Sequence, residues 1–326
     1  MIDGYGRNID YLRVSVTDRC NLRCKYCMPE EGIGDLGHTR ILTLEQVHRL
    51  IQVAAGVGFK KVRFTGGEPL VRKNLVELIR NTANIAEIED ISMTTNGILF
   101  ADMAGELKQG GLTRVNISLD TLVDEKFKYI TRRGKLDDVK KGIQKALELN
   151  MDPVKINMVV MKGFNDNEIL DFADLAYHYP LHVRFIEFMP IGNLPFHKQE
   201  RVMSIEDIQD IIKQEYVLLP AEKIKGSGPA RYYQLKGGQG SVGFISPLSQ
   251  HFCASCNRIR LTADGKLRSC LYHNREVDLK LAVQNGLGDE QLAQLFKKAI
   301  RNKPGRHEMS NGWGIENERK MFQIGG

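Results

Sequence analysis

A chain of 326 residues, 42% hydrophobic and 26% charged, is long enough for about two globular domains, and these fractions exclude disordered and collagen-like classes. No run of about 18 apolar residues occurs, and the opening Met1-Ile2-Asp3-Gly4-Tyr5-Gly6-Arg7 lacks the apolar stretch of a secretory signal, so a cytoplasmic protein with no membrane partner is expected. The net charge of +6 is too small at this length to name a polyanionic partner by itself.

From residue 10 to about 190, β-rich runs alternate with helical patterns, the sequence form of repeated βα units around a parallel sheet. The candidate strands are 11–17, 61–65, 90–95, 114–120, 154–160 and 183–188. Thr43 caps a run that places Leu44, Val47, Leu50, Ile51 and Ala54 on one helical face; Leu75, Leu78 and Ile79 repeat the pattern, as do 137–149 and 166–177. Six such units predict an α/β fold with a partial (β/α)6 barrel of the TIM type, whose functional groups sit on loops at the carboxyl ends of the strands. After Pro190 the rhythm changes. A Gly- and Pro-containing loop at 191–199 leads to a helix over 204–214, then to Gly-rich β segments at 231–235 and 240–246. A hairpin follows over 258–268, turning at Asp264-Gly265, with helices near 279–284 and 290–300. The expected division is 1–190 for the barrel and 191–326 for a smaller α+β module.

Cys20, Cys24 and Cys27 follow the first strand directly. Thiolates hold iron–sulfur clusters, and a triplet serves three irons of a cubane while leaving the fourth open to another ligand. Structural zinc needs four protein ligands, for which only His38 stands nearby. The remaining cysteines form a second triplet, Cys253, Cys256 and Cys270; disulfide pairing would strand an odd member in each set or bridge between them, so metal binding explains the partition better. On spacing alone the second triplet divides between a cubane and a zinc ribbon completed by His251 or His273. Arg258 and Arg260 beside it suit a second cluster whose open iron takes a substrate atom while the arginines hold the substrate's charge.

Gly66-Gly67-Glu68-Pro69 follows the second strand, where the glycines allow close backbone approach and Glu68 offers an acceptor. Basic residues stand inside the strands at Arg13, Arg63, Lys155 and Arg184. A buried cation needs a carboxylate, such as Glu187 for Arg184, or an anionic ligand; Arg13, Arg63 and Lys155 together point to a lumen that binds polyphosphate. The terminal Gly325-Gly326 is either a frayed end or a pair able to thread a channel that side chains would block.

Taken with Thr94-Thr95-Asn96-Gly97, Asn116-Ile117-Ser118-Leu119-Asp120 and Arg184-Phe185-Ile186-Glu187-Phe188-Met189, these motifs resemble the radical S-adenosylmethionine (SAM) superfamily and, within it, the GTP 3′,8-cyclase family that opens molybdenum-cofactor biosynthesis. The resemblance implies two [4Fe-4S] clusters, one on Cys20, Cys24 and Cys27, the other on Cys253, Cys256 and Cys270. It implies SAM held by Tyr26, Gly67, Ser118 and Met189, and GTP held by Arg13, Arg63, Thr94, Lys155, Arg258 and Arg260, with Gly325 and Gly326 supporting catalysis. The family's reaction removes hydrogen from C3′ of GTP and joins that carbon to C8, giving (8S)-3′,8-cyclo-7,8-dihydroguanosine 5′-triphosphate. An electron donor and a downstream cyclic pyranopterin monophosphate synthase are the implied partners; no nucleic acid is, and homodimerisation is left open. Two other readings compete: a peptide-modifying maturase with an auxiliary cluster, and a nucleic-acid-binding module whose zinc ribbon spans 253–270 with Arg258, Arg260, Lys266 and Arg268 on phosphate.

Overall fold

The computed structural model describes residues 1–33, 40–192, 194–221, 224–226, 228–307 and 318–325. Six strands, β1 (Tyr11–Ser15), β2 (Lys61–Thr65), β3 (Asp90–Thr95), β4 (Arg114–Ser118), β5 (Val154–Val160) and β6 (His182–Glu187), pair in sequence order, all parallel. The intervening helices are α1 (Leu44–Val57), α2 (Leu75–Ala83), α3 (Phe100–Gln109), α4 (Asp124–Thr131), α5 (Leu136–Glu148) and α6 (Ile169–His178). The capping signal of α1 is realised in full: Thr43 accepts from the Gln46 backbone and the Gln46 side chain returns a bond to the Thr43 N–H.

Beyond residue 190 come α7 (Ile205–Lys213), β7 (Leu218–Pro220), β8 (Arg231–Leu235), β9 (Ser241–Ile245), β10 (Arg258–Leu261), β11 (Lys266–Arg268), β12 (Glu276–Asp278), α8 (Leu279–Gln284), α9 (Asp289–Arg301) and α10 (Met321–Ile324). The expected hairpin is β10–β11, antiparallel, with Arg260 opposite Arg268. Among the described residues these strands make no sheet of their own. β10 adds parallel to β1 and β9 adds parallel to β6, so eight parallel strands form the centre of one open sheet ordered β12-β11-β10-β1-β2-β3-β4-β5-β6-β9-β8-β7.

Strand periodicity sorts the side chains. Leu12, Val14, Val62, Phe64, Ile91, Met93, Val115, Ile117, Ile156 and Met158 are buried in the core, while the alternate positions Arg13, Arg63, Thr94, Ser118, Asn157, Arg184, Arg258 and Arg260 line a single cavity. Eight strands spaced about 4.8 Å apart would span about 34 Å if flat. Side chains from all eight reach one cavity, so the sheet curls around it. Among the described residues no helix is long and apolar enough to cross a membrane.

Candidate functional site

The first cysteine loop is held by its neighbours at the carboxyl ends of β1 to β4. Gly67 N–H donates to Thr17 O and Glu68 N–H to Arg19 O, both at 2.8 Å, which ties the loop after β2 to the chain entering the cysteines. A Cβ on Gly67 would stand 2.4 Å from Arg19 O and 2.7 Å from Asp18 O, so no side chain fits there. Glu68, expected to offer an acceptor, does so within the chain: it accepts from Leu70 N, Thr95 Oγ1 and Asn96 N at 3.1, 2.7 and 2.7 Å, and burial pushes it up to about 7. Asn96 Nδ2 in turn donates to Asn21 Oδ1 at 2.7 Å beside Cys20. On the opposite side, Tyr26 donates to Asp120 Oδ2 at 2.6 Å and Asp120 Oδ1 accepts from Val159 N at 3.0 Å. Burial raises Asp120 to about 6, against the pull of those two bonds.

Cys20, Cys24 and Cys27 are free and line the cavity. Burial raises Cys20 to about 11 and Cys27 to about 12, and mutual repulsion among the three adds to burial in holding Cys24 well up. A bound metal centre would displace the three thiol protons and hold the sulfurs as thiolates. The second triplet lines the same cavity. There burial would raise Cys256, but the Arg258 guanidinium and the Lys303 ammonium outweigh it and bring the thiol down to about 6. Lys303 is fixed by Arg258 O at 2.9 Å and Ser269 O at 2.6 Å, and Arg7 Nη1 donates to Cys253 O at 2.8 Å.

The spacing of the donors separates clusters from single ions. Tetrahedral zinc holds thiolates about 3.8 Å apart. Among the described residues neither cysteine triplet gathers its sulfurs within 4.8 Å; only His251, Cys253 and His307 bring three ligand atoms that close. A cubane distributes its thiolates over separate irons and suits the wider sets, so the residues fit two clusters of three thiolates each. His273, the other sequence candidate for a zinc ligand, stands outside that close set; its Nε2 lies 3.4 Å from Arg306 O. His38 lies outside the described residues.

Between the triplets the cavity, about 340 Å³, is also lined by Arg13, Arg63, Arg184, Arg258, Arg260 and Lys303. Arg63 Nε donates to Ser92 Oγ at 3.2 Å and Arg260 Nη1 to Gly325 O at 2.6 Å. Arg184 does not pair with Glu187. Three residues apart on one strand, they point to opposite faces; Arg184 Nη2 donates to Asn116 Oδ1, and Glu187 accepts from Leu248 N and Ser249 N at 2.9 and 3.0 Å, stapling that loop to β6. Burial, then the nearby arginine charges, lowers Arg13 strongly; the same combination brings Arg260 to about 9. Such crowding is relieved by a multivalent anion. Thr94 Oγ1 and Asn157 Oδ1 are buried in the cavity wall without a hydrogen-bond partner among the described residues, which leaves a donor and an acceptor for a polar ligand.

Tyr26, Gly67, Ser118, Met189, Arg13, Arg63, Thr94, Arg258 and Arg260 all line this cavity. Lys155 does not. One pleat below Asn157, it faces an adjoining space of about 270 Å³ that shares Gly228 as a wall, its Nζ bonded to Lys225 O at 2.6 Å. Burial, then Arg184 and Arg114, lowers it to about 6. Gly326 lies outside the described residues. Gly325 has φ +82° and is pressed on by Thr65 Cγ2, which a Cβ would meet at 2.8 Å. The short α10 before it touches both halves of the site: the Phe322 backbone N–H donates to the Cys27 sulfur, and the Gly325 carbonyl accepts from Arg260. Sequence reasoning missed Lys303, Arg7 and His307, which approach from far along the chain and carry no local signal.

Comparisons agree with this geometry. A family model described as the Radical SAM superfamily matches residues 14–176, and one described as Molybdenum Cofactor Synthesis C matches 181–309. Proteins named GTP 3′,8-cyclase are similar over whole chains: that of Syntrophomonas wolfei is 62% identical over 326 residues, and that of Moorella thermoacetica 52% over 326, each covering 100% of both chains. The crystal structure of Streptococcus suis SuiB bound to S-adenosylmethionine aligns with TM-score 0.62 at 14% identity, over 84% of this chain and 63% of that one, a likeness of fold alone.

Proposed function

We propose reaction and residue roles from one premise: the chain belongs to the GTP 3′,8-cyclase family of radical SAM enzymes. It is a radical SAM GTP cyclase of molybdenum-cofactor biosynthesis, using SAM and [4Fe-4S] clusters. Cys20, Cys24 and Cys27 would hold the cluster that, with SAM bound, would supply a 5′-deoxyadenosyl radical as hydrogen acceptor. GTP loses its C3′ hydrogen to it, the carbon closes on C8, and one electron from an external reductant with one proton from solvent completes (8S)-3′,8-cyclo-7,8-dihydroguanosine 5′-triphosphate.

The chain's own work is positioning and exclusion of solvent. Cys20, Cys24 and Cys27 hold the first cluster in the 1–190 unit; Cys253, Cys256 and Cys270 hold the second in 191–326. Gly67 offers its carbonyl to the SAM amino group, Ser118 a hydroxyl, and Tyr26 and Met189 apolar contact. Arg13, Arg63, Arg258 and Arg260 neutralise the triphosphate, Thr94 supplies its unpartnered hydroxyl, and Lys155 answers from the adjoining space. Gly325 brings its carbonyl to Arg260 without side-chain bulk, and Gly326 shares with it the catalytic role that the family implies. An electron donor and a downstream cyclic pyranopterin monophosphate synthase complete the setting, in a cytoplasm where disulfide formation does not compete with cluster assembly.

The observation that carries this reading is that both cysteine triplets and the buried strand arginines line one cavity. Anaerobic incubation of the reconstituted protein with SAM and a reductant, with and without GTP, tests it. GTP-dependent 5′-deoxyadenosine and a cyclised nucleotide are expected; deoxyadenosine no higher than the GTP-free control refutes it.

A further inference from the structure

Two histidines that neither cluster uses form a donor set with Cys253 of the second triplet. The ligand atoms of His251, Cys253 and His307 all lie within 4.8 Å of one another, the only such group among the described residues. The two imidazoles meet edge to face, centroids 4.7 Å apart. His251 Nδ1 is buried with no hydrogen-bond partner among the described residues. His307 is 5% exposed, its ring bonded to the Pro247 carbonyl and its backbone N–H to the Cys253 sulfur. An imidazole whose one nitrogen is anchored on a backbone carbonyl presents the other as a ligand in fixed orientation, which is how metal-binding histidines are held. Around tetrahedral zinc, nitrogen and sulfur ligands stand about 3.4–3.8 Å apart. Small side-chain rotations close the present spacing to that value.

We propose that in the cluster-free chain His251, Cys253 and His307 bind one zinc ion, water filling the fourth position, and that this ion withholds Cys253 from iron–sulfur assembly. Binding releases the Cys253 thiol proton, and no oxidation state changes. Two neutral imidazoles and one thiolate are a borderline-soft set that favours zinc over magnesium or calcium. Cys253 belongs to both sets, so the two occupancies exclude each other: zinc needs the thiolate turned toward the histidines, a cluster needs it facing Cys256 and Cys270. The zinc site stands on its own geometry; only the exclusion rests on reading Cys253 as a cluster ligand.

The test uses the full chain made anaerobically without clusters, with Cys20, Cys24 and Cys27 changed to Ser so that only the second triplet offers thiolates. Zinc titration against a chromophoric chelator is expected to give one ion per chain. Affinity should fall at least about tenfold in His251→Asn and in His307→Asn and stay within about twofold in Cys256→Ser and Cys270→Ser. Cobalt(II) in place of zinc should show the charge-transfer intensity of a single thiolate, a readout that folding defects would not mimic. Affinity unchanged in both histidine variants, or lost in Cys256→Ser, or cobalt intensity of three thiolates, overturns the site. For the exclusion, the chain with all six cysteines is loaded with zinc before iron and sulfide are added, and about half the iron uptake of the zinc-free control is expected. Full uptake overturns the exclusion, whereas a zinc-free control that takes up no iron defeats the cluster reading and leaves the zinc site standing.

Discussion

Gly67→Ala puts the packing of the two ligand-binding loops to a direct test. The added methyl would meet Arg19 O at 2.4 Å, Asp18 O at 2.7 Å and the Arg19 carbonyl carbon at 2.8 Å, all backbone atoms with no rotamer to yield. Ordinary carbon contacts begin near 3.5 Å, so the loops must part by about 1 Å. That stretches the two 2.8 Å bonds, Gly67 N–H to Thr17 O and Glu68 N–H to Arg19 O, beyond hydrogen-bonding range. Two bonds at about 0.5–1.5 kcal/mol each, plus about 1–3 kcal/mol for backbone overpacking, give a loss of about 2–6 kcal/mol. A misplacement of that size at a reacting centre costs about 100-fold in rate. Denaturant unfolding and anaerobic deoxyadenosine formation measure the two effects. Gly105→Ala is the control: nothing lies within 4 Å of its added methyl, and mid-helix replacement of glycine should stabilise by about 0.5–1 kcal/mol. If Gly67→Ala keeps parental stability and deoxyadenosine formation within about twofold, the close loop contact is not what builds the site.

Arg260→Ala should raise the KM for GTP about tenfold or more while iron content stays at the parental value, since Arg260 sits among cations and binds no cluster; an unchanged KM removes it from the substrate's contacts. Deleting Gly325 and Gly326 frees Arg260 Nη1 from its bond to the Gly325 carbonyl, so cyclised product should fall more than the unfolding midpoint; equal activity assigns the tail to fraying. Asp120 is raised by burial from 3.8 to about 6, so the folded state holds its proton more tightly than the unfolded chain. The stability it contributes is full below pH 3.8 and is lost as pH rises through 6, and Asp120→Asn, which keeps an acceptor for the Val159 N–H and turns the Tyr26 bond round so that the amide donates to the phenol oxygen, should flatten that window in the cluster-free protein. An unaltered pH profile refutes the assignment. In the same protein Cys256, lowered to about 6 by Arg258 and Lys303, should alkylate first at pH 7, with Cys20, Cys24 and Cys27 last; mass spectrometry showing the reverse order refutes it.

The parallel core was legible because each strand is a short β-branched or aromatic run bounded by helical periodicity: β2, β3 and β5 begin and end where the sequence places them. The three-residue β7 and β12 carry too little pattern to see. Nor does any local signal say that β9 and β10 join opposite edges of the same sheet, since parallel pairing of Arg13 with Arg260 spans the whole chain. In the site, the cysteines stood out by their spacing as two triplets, and the strand arginines because a buried cation is costly without a partner or an anionic ligand. Glu187 misled for the converse reason: a carboxylate three residues from a buried arginine reads as its counter-ion, whereas it satisfies backbone N–H groups of a neighbouring loop. His307 and Lys303 became visible only once α9 had carried them back to the second triplet.

Iron and sulfide analysis of the anaerobically reconstituted chain, joined to paramagnetic resonance with and without GTP, bears most directly on the paired three-thiolate sites. Two cubanes require about eight irons per chain, four at each triplet, and GTP should alter the signal of one centre while leaving the other unchanged. About four irons with one zinc, or two centres both indifferent to GTP, would contradict it.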